Sequence, residues 1–262
     1  MSGTGPGEVA LLRDAAALVF VEDLGDPAAS AEDAHHLLGV LRLRDGATVI
    51  ASDGTGTWQP CRLLRRSGAG TRQRPGASLE PTGEPRRDAQ PERRGVGFAI
   101  PKGERGDWAV QKLTELGVDE IWPFVAHRSV VRLEGDDSLR RGDRYRRIAR
   151  EAAAQSRRPR LPAVHDPTGF EGVVEGLSPL GAVALAEPGA RPPGGDLAAI
   201  LVGPEGGWSF EESDSGLRRV SLGSGVLRTE TAAVVAGCLL AGSRSGILTL
   251  GAVNPQRDGP CA

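Results

Sequence analysis

The sequence predicts an α/β protein, a mainly parallel sheet with helices on both faces, preceded by a smaller β-rich unit. Three observations carry this. From Val96 onward, short apolar runs alternate with longer stretches of helical periodicity, as they do when strands cross to helices and back. Before Arg65 the apolar runs are short and are broken by Asp-Gly and Gly-Thr-Gly turns. Between the two regions, residues 67–95 are Gly, Pro, Arg, Glu and Gln with almost no large apolar side chain.

Taken in order, residues 1–15 read as an N-terminal extension. The opening MSGTGPGEVALLRDAA has no basic segment followed by an apolar core, so no secretory signal is expected. Residues 16–66 form the β-rich unit, with strands expected near 18–21, 47–52 and 57–64. Between them lies AHHLLGVLRLRDG, residues 34–46. Its adjacent histidines, His35 and His36, have no second ligand pair at zinc spacing, so local packing or a solvent-facing role is expected of them rather than metal binding. Residues 67–95 read as an exposed, mobile linker.

The main unit covers 96–245. Strands are expected near 96–100, 120–125, 182–186, 197–202 and 219–222, with helices near 106–116 (closed by Gly117), 143–155 and 210–217, and a last helix running to Ala241. Residues 246–262 are a C-terminal tail. Spacing alone suggests the strand order of a doubly wound, Rossmann-like sheet.

At 262 residues with 39% hydrophobic residues and no apolar run of membrane-spanning length, a soluble globular protein is expected. The three cysteines, Cys61, Cys238 and Cys261, are odd in number and far apart, which predicts neither a disulfide framework nor a zinc site, and suits a reducing cytoplasm. Net charge is −2, yet arginines cluster at 62–74, 86–94, 140–150 and 157–160. A nucleic-acid face on a neutral protein is compatible with that pattern, as are solvated helix faces.

The most informative motifs are Gly-Pro-Glu-Gly-Gly-Trp at 203–208 and Leu-Gly-Ser-Gly-Val-Leu-Arg-Thr-Glu-Thr-Ala at 222–232. Alone, the first is a turn and the second a capped helix. Together, each behind an apolar strand, they put two strand ends and a helix N-terminus on one crevice, where open α/β sheets bind ligands. Glycines there let backbone amides approach a ligand. Neither segment fits a GxGxxG fingerprint or a GxxxxGK[ST] loop, which argues against a nucleoside triphosphate site.

These two blocks, with Pro-Lys-Gly-Glu-Arg at 101–105, Gln-Lys-Leu-Thr-Glu-Leu-Gly-Val at 111–118 and Glu-Ala-Ala-Ala-Gln-Ser at 151–156, resemble the bacterial ribosomal small-subunit RNA methyltransferase E family. The resemblance spans roughly 16–242, with five blocks in the family's order. It implies a SPOUT-type, trefoil-knotted sheet behind a PUA-like barrel that helps hold RNA, a homodimer, and S-adenosylmethionine-dependent methylation of N3 of a uridine in 16S ribosomal RNA, with no metal and no membrane.

It further implies a cofactor site at Glu187, Gly203, Glu205, Gly206, Gly207, Leu222, Gly223, Val226, Leu227 and Arg228. RNA contacts are implied for His36, Arg42, Arg44, Lys102, Arg105, Arg128 and Arg158. Methylating an imide nitrogen requires removing its proton and stabilising the charge left on the uracil oxygens. Glu205 and Glu230 are therefore candidate bases, and Arg228 a candidate cation. The structural alternatives are that Glu205 fixes its loop, Glu230 serves the helix dipole, and Arg228 pairs with either.

The chain departs from the family pattern at Trp208 (Phe is usual), Arg157 (Gly), Pro159 (Asn) and Ser224 (Pro). Another SPOUT RNA methyltransferase, acting for example on a ribose 2′-oxygen, and a non-catalytic RNA-binding or ribosome-assembly protein are the alternative functions.

Overall fold

The computed structural model describes residues 6–66, 76–89, 92–133 and 135–251. These fall into two units, one made of the described residues before 90 with Arg150–Leu161, the other of Glu92–Ala149 and the described residues from Pro162 onward.

In the first unit, helix α1 (Pro6–Asp14) leads into β1 (Ala17–Phe20), followed by helix α2 (Ala31–His35), a π-helical turn (His36–Val40), β2 (Thr48–Ser52), β3 (Thr57–Arg66), β4 (Gly76–Pro81) and β5 (Arg86–Arg87). β1 pairs parallel with β2; β2, β3 and β4 follow antiparallel, and β5 pairs with β3. Both faces of this sheet are covered. Val19, Val49, Cys61 and Leu63 pack on one side, while Leu18, Phe20, Ile50 and Trp58 pack on the other with Ala153. A strand buried on both faces needs no polar alternation, which is why β1 reads as the unbroken run Ala-Leu-Val-Phe.

One sequence expectation changes here. Within the 67–95 stretch, residues 76–81 and 86–87 are strands paired to β3, and Arg86 lies over the Trp58 ring, whose Nε1 donates to Asp88. Polar composition concealed them because only Leu79 of β4 is buried. The rest of that expectation, at 67–75 and 90–91, lies outside the described residues. Arg157, where the family usually has glycine, is half-buried. It takes a left-handed φ of +58, where a glycine would be easiest, and its guanidinium donates to the carbonyls of Ala15, Ala16, Ala154 and Gln155.

The second unit runs β6 (Gly95–Ala99), α3 (Arg105–Glu115), β7 (Glu120–Val125), α4 (Asp137–Gln155, whose residues from Arg150 group with the first unit), β8 (Ala163–Val164), β9 (Thr168–Gly169), α5 (Phe170–Leu177), β10 (Ala182–Arg191), β11 (Leu197–Val202), α6 (Phe210–Ser213), β12 (Arg218–Val220) and α7 (Thr229–Arg244). All its strand pairings are parallel, in the order β12-β10-β11-β6-β7-β8, with β9 also on β7. The Rossmann-like expectation is therefore corrected: β10 and β11 have exchanged the places that a doubly wound order would give them. Spacing predicts strands but not which neighbours they choose.

Helices α3 and α7, with Tyr145 of α4, bury Val96, Phe98, Ile121 and Ile200 on one face; α5 and Trp208 bury Phe124, Leu185 and Leu201 on the other. No described helix is long and apolar enough to cross a membrane.

Candidate cofactor and active site

Three adjacent strands lose their common pairing at one level. Ala186 of β10 pairs with Val202 of β11 on one side and Val220 of β12 on the other; beyond it Gly203 and Ser221 follow the ends of β11 and β12, and Glu187 begins an unpaired stretch of β10. The expected turn after 186 is instead a register shift: β10 continues to Arg191, which pairs again with Val220. Around these ends lies a cavity of about 380 Å³. Its wall includes Glu187, Gly203, Glu205, Gly207, Leu222, Gly223, Val226 and Leu227, together with Pro188, Pro204, Trp208 and Thr229. Gly206 and Arg228, expected with them, do not line it.

The loop Gly203–Gly207 is fixed from several sides. The buried Thr229 hydroxyl, in the first turn of α7, donates to the Gly203 carbonyl at 3.0 Å. The Trp208 Nε1 donates to the Ala186 carbonyl at 3.0 Å, and its ring is stacked on Phe124 with Phe170 at its edge. Gly207 has a φ of +71 and closes a turn by donating to the Pro204 carbonyl. Just beyond, Ser209 and Glu212 form a capping box at α6, and the other Glu212 oxygen accepts the His127 amide at 2.8 Å, joining this loop to the one after β7. That junction was not foreseen from sequence, although Ser-x-x-Glu at 209–212 is its readable signature.

The two candidate bases stand near one another. Glu205 is half exposed at the cavity wall, whereas Glu230 is buried at the start of α7. The guanidinium that reaches both is that of Arg105, not Arg228, which is exposed at the N-cap of α7 with no side-chain cap bond. Two carboxylate oxygens around the cavity are buried without a hydrogen bond: Oε2 of Glu187, 3.2 Å from Arg219 Nε, and Oε2 of Glu230, 3.6 Å from Arg105 Nη1. Buried acceptors in that state favour a ligand carrying N–H or O–H donors.

Of the other expected RNA contacts, Lys102 and Arg128 are exposed in the second unit, Arg128 with Nη1 3.4 Å from the Gly206 carbonyl. His36, Arg42 and Arg44 are exposed in the first unit, where Arg158 is half-buried. Within the arginine clusters, Arg62, Arg86, Arg93, Arg94, Arg140, Arg144, Arg146 and Arg150 each stand beside a carboxylate. Much of the clustered charge is thus locally balanced. No group of three or more His, Cys, Asp or Glu suited to a metal ion occurs among the described residues.

Residues 89–241 match the model of the RNA methyltransferase domain family. The chain is similar to ribosomal RNA small subunit methyltransferase E of Bacillus subtilis, 30% identical over 78% of this chain and 85% of that one. It is 34% identical to the protein of the same name from Mycobacterium bovis, over 84% of this chain and 89% of the relative. Among solved structures it is similar to a ribosomal RNA small subunit methyltransferase E from Neisseria gonorrhoeae bound to S-adenosyl methionine, with 26% identity, a TM-score of 0.69, and coverage of 86% of this chain and 97% of that one.

Proposed function

The chain belongs to the ribosomal RNA small subunit methyltransferase E family, and we propose that it methylates N3 of a uridine in 16S ribosomal RNA with S-adenosylmethionine as methyl donor. The observation that carries this reading is the glycine-walled cavity at three parallel strand ends, in a chain of that family.

The residues present fit the cofactor. Glu187 and Glu205 put carboxylates in the cavity wall, each beside an arginine, and the Glu187 oxygen that lacks a hydrogen bond can accept from a ribose hydroxyl. Gly203, Gly207 and Gly223 leave backbone open to an adenine edge, and Leu222, Val226 and Leu227 offer apolar faces to its ring. When bound, the cofactor supplies an electrophilic methyl group. The chain's own part is to orient the base, accept the imide proton and hold the charge that develops. Glu230 is the stronger candidate for the proton, because it is buried with one oxygen lacking a hydrogen bond. Glu205 is the other candidate, and Arg228 is the candidate cation for the uracil oxygens.

The exchanged order of β10 and β11 supports a SPOUT-type trefoil knot. The five-stranded first sheet supports a PUA-like barrel, with His36, Arg42, Arg44 and Arg158 on its RNA side and Lys102 and Arg128 at the methyltransferase unit. A cytoplasmic homodimer is the expected state. Nucleoside analysis of 16S ribosomal RNA from cells with and without the gene tests the reading: N3-methyluridine should disappear on deletion and return with the purified enzyme. A missing ribose 2′-O-methyl group, or no missing modification, overturns it.

A further inference from the structure

Arg105 is the first residue of α3, and the family resemblance implies an RNA contact for it. The structure gives its Nε and Nη1 other partners. Its Nε donates to the Lys102 carbonyl at 3.2 Å, and its Nη1 lies 3.1 Å from Glu205 Oε1 and 3.6 Å from Glu230 Oε2. Glu205 belongs to the loop after β11 and Glu230 to the first turn of α7, so one guanidinium spans the two elements that wall the cavity. The start of α3 is itself fixed, because Gly106 has no room for a Cβ against the buried Tyr145 hydroxyl.

We propose that Arg105 is a positioning residue: it draws the Gly203–Gly207 loop and the start of α7 together through their two carboxylates, and so holds both the cofactor wall and Glu230 in place. Without it, two like charges on neighbouring elements face each other with no shared counter-ion, and the loop is pushed outward. A phosphate arriving at the Nη1 side of Arg105 would have to displace two carboxylates, whereas among the described residues no carboxylate stands within ion-pair distance of the exposed Lys102 beside it. For its effect on methylation, the proposal rests on the function given above; for the loop, it does not.

The test uses Arg105→Ala, Arg105→Lys, Glu205→Gln and the double variant Arg105→Ala/Glu205→Gln of the full chain. Without ligand, Arg105→Ala should speed hydrogen exchange at the Gly207 amide, which bonds to Pro204, by about tenfold or more. Titration with S-adenosylmethionine in a calorimeter should show affinity falling by about tenfold or more, with Lys intermediate. The loss should be smaller when Glu205 is already neutral, because the repulsion is then gone. Affinity for 16S RNA without cofactor should hold.

Unchanged exchange and cofactor affinity, with weaker RNA binding, overturn the proposal and return Arg105 to the RNA side; strictly additive losses in the double variant also overturn it. If the wild-type chain binds no S-adenosylmethionine, the methyltransferase reading fails, and the exchange measurement still decides the role of Arg105.

Discussion

The Trp208 indole lies directly against Gly203: a Cβ built on that glycine would stand 3.0 Å from the ring. The tryptophan also bonds Ala186 at the end of the neighbouring strand, so a single side chain spaces two walls of the cofactor cavity.

Gly203→Ala should therefore cost about 1–3 kcal/mol through overpacking and weaken S-adenosylmethionine binding. Adding Trp208→Phe, which removes part of the obstructing ring, should recover some of the cofactor affinity in calorimetry. If the double variant binds no better than Gly203→Ala alone, the contact is not the cause.

The hydroxyl of Thr229 makes a different prediction. Thr229→Val keeps the shape but leaves the Gly203 carbonyl without its 3.0 Å partner, at about 1–3 kcal/mol. Thermal unfolding and cofactor titration should both show the loss, and Thr229→Ser should restore both. Equal behaviour of Val and Ser would remove the hydrogen bond from the argument.

Neighbouring glycines should differ. Gly207→Ala forces a side chain into a left-handed turn, costing about 1–2 kcal/mol, and should loosen the cofactor. Gly206→Ala meets only Arg128 at 3.4 Å, outside the cavity, and should be mild. Calorimetry on the two variants checks the order, and a reversed order would put Gly206 back at the ligand.

Arg228→Lys keeps the charge and loses the planar fork. Single-turnover methylation should slow by more than about tenfold, roughly 1.4 kcal/mol of barrier, while melting temperature and cofactor affinity hold, since Glu205 and Glu230 are paired to Arg105 instead. A wild-type rate would falsify the catalytic assignment.

Burial pushes the Cys61 thiol up to about 11. The unfolded chain ionises first as pH rises, so this thiol's contribution to stability is intact below the ordinary cysteine range and is lost on the way to about 11. Peptide-resolved labelling at pH 8 should leave Cys61 unmodified until denaturant is added; prompt labelling of the folded protein would contradict its burial.

The parallel sheet was legible because its strands are buried on both faces and so appear as apolar runs: β7 and β11 fall where expected, and β6 within a residue. What escaped was either short or polar. The two-residue β8 and β9 carry no period, β4 and β5 are mostly solvent-facing, and α5 follows a Thr-Gly pair that reads as loop. At the site, glycine spacing identified the cavity wall, since backbone approach is written in residue type. Charge pairing is not: nothing in local sequence says that Arg105 reaches across 100 residues to Glu205.

The strand order has a consequence for synthesis. β6 emerges from the ribosome first among the strands of its sheet, yet one of its two neighbours, β11, follows some hundred residues later. At about 5–20 residues per second, one edge of β6 waits roughly 5–20 s for its partner. Its composition, Gly-Val-Gly-Phe-Ala, gives that waiting edge few side chains with which to adhere elsewhere. The cavity is lined wholly by residues at or beyond Ala186, so a nascent chain cannot form it until the stretch from Ala186 to Ala232 has been made.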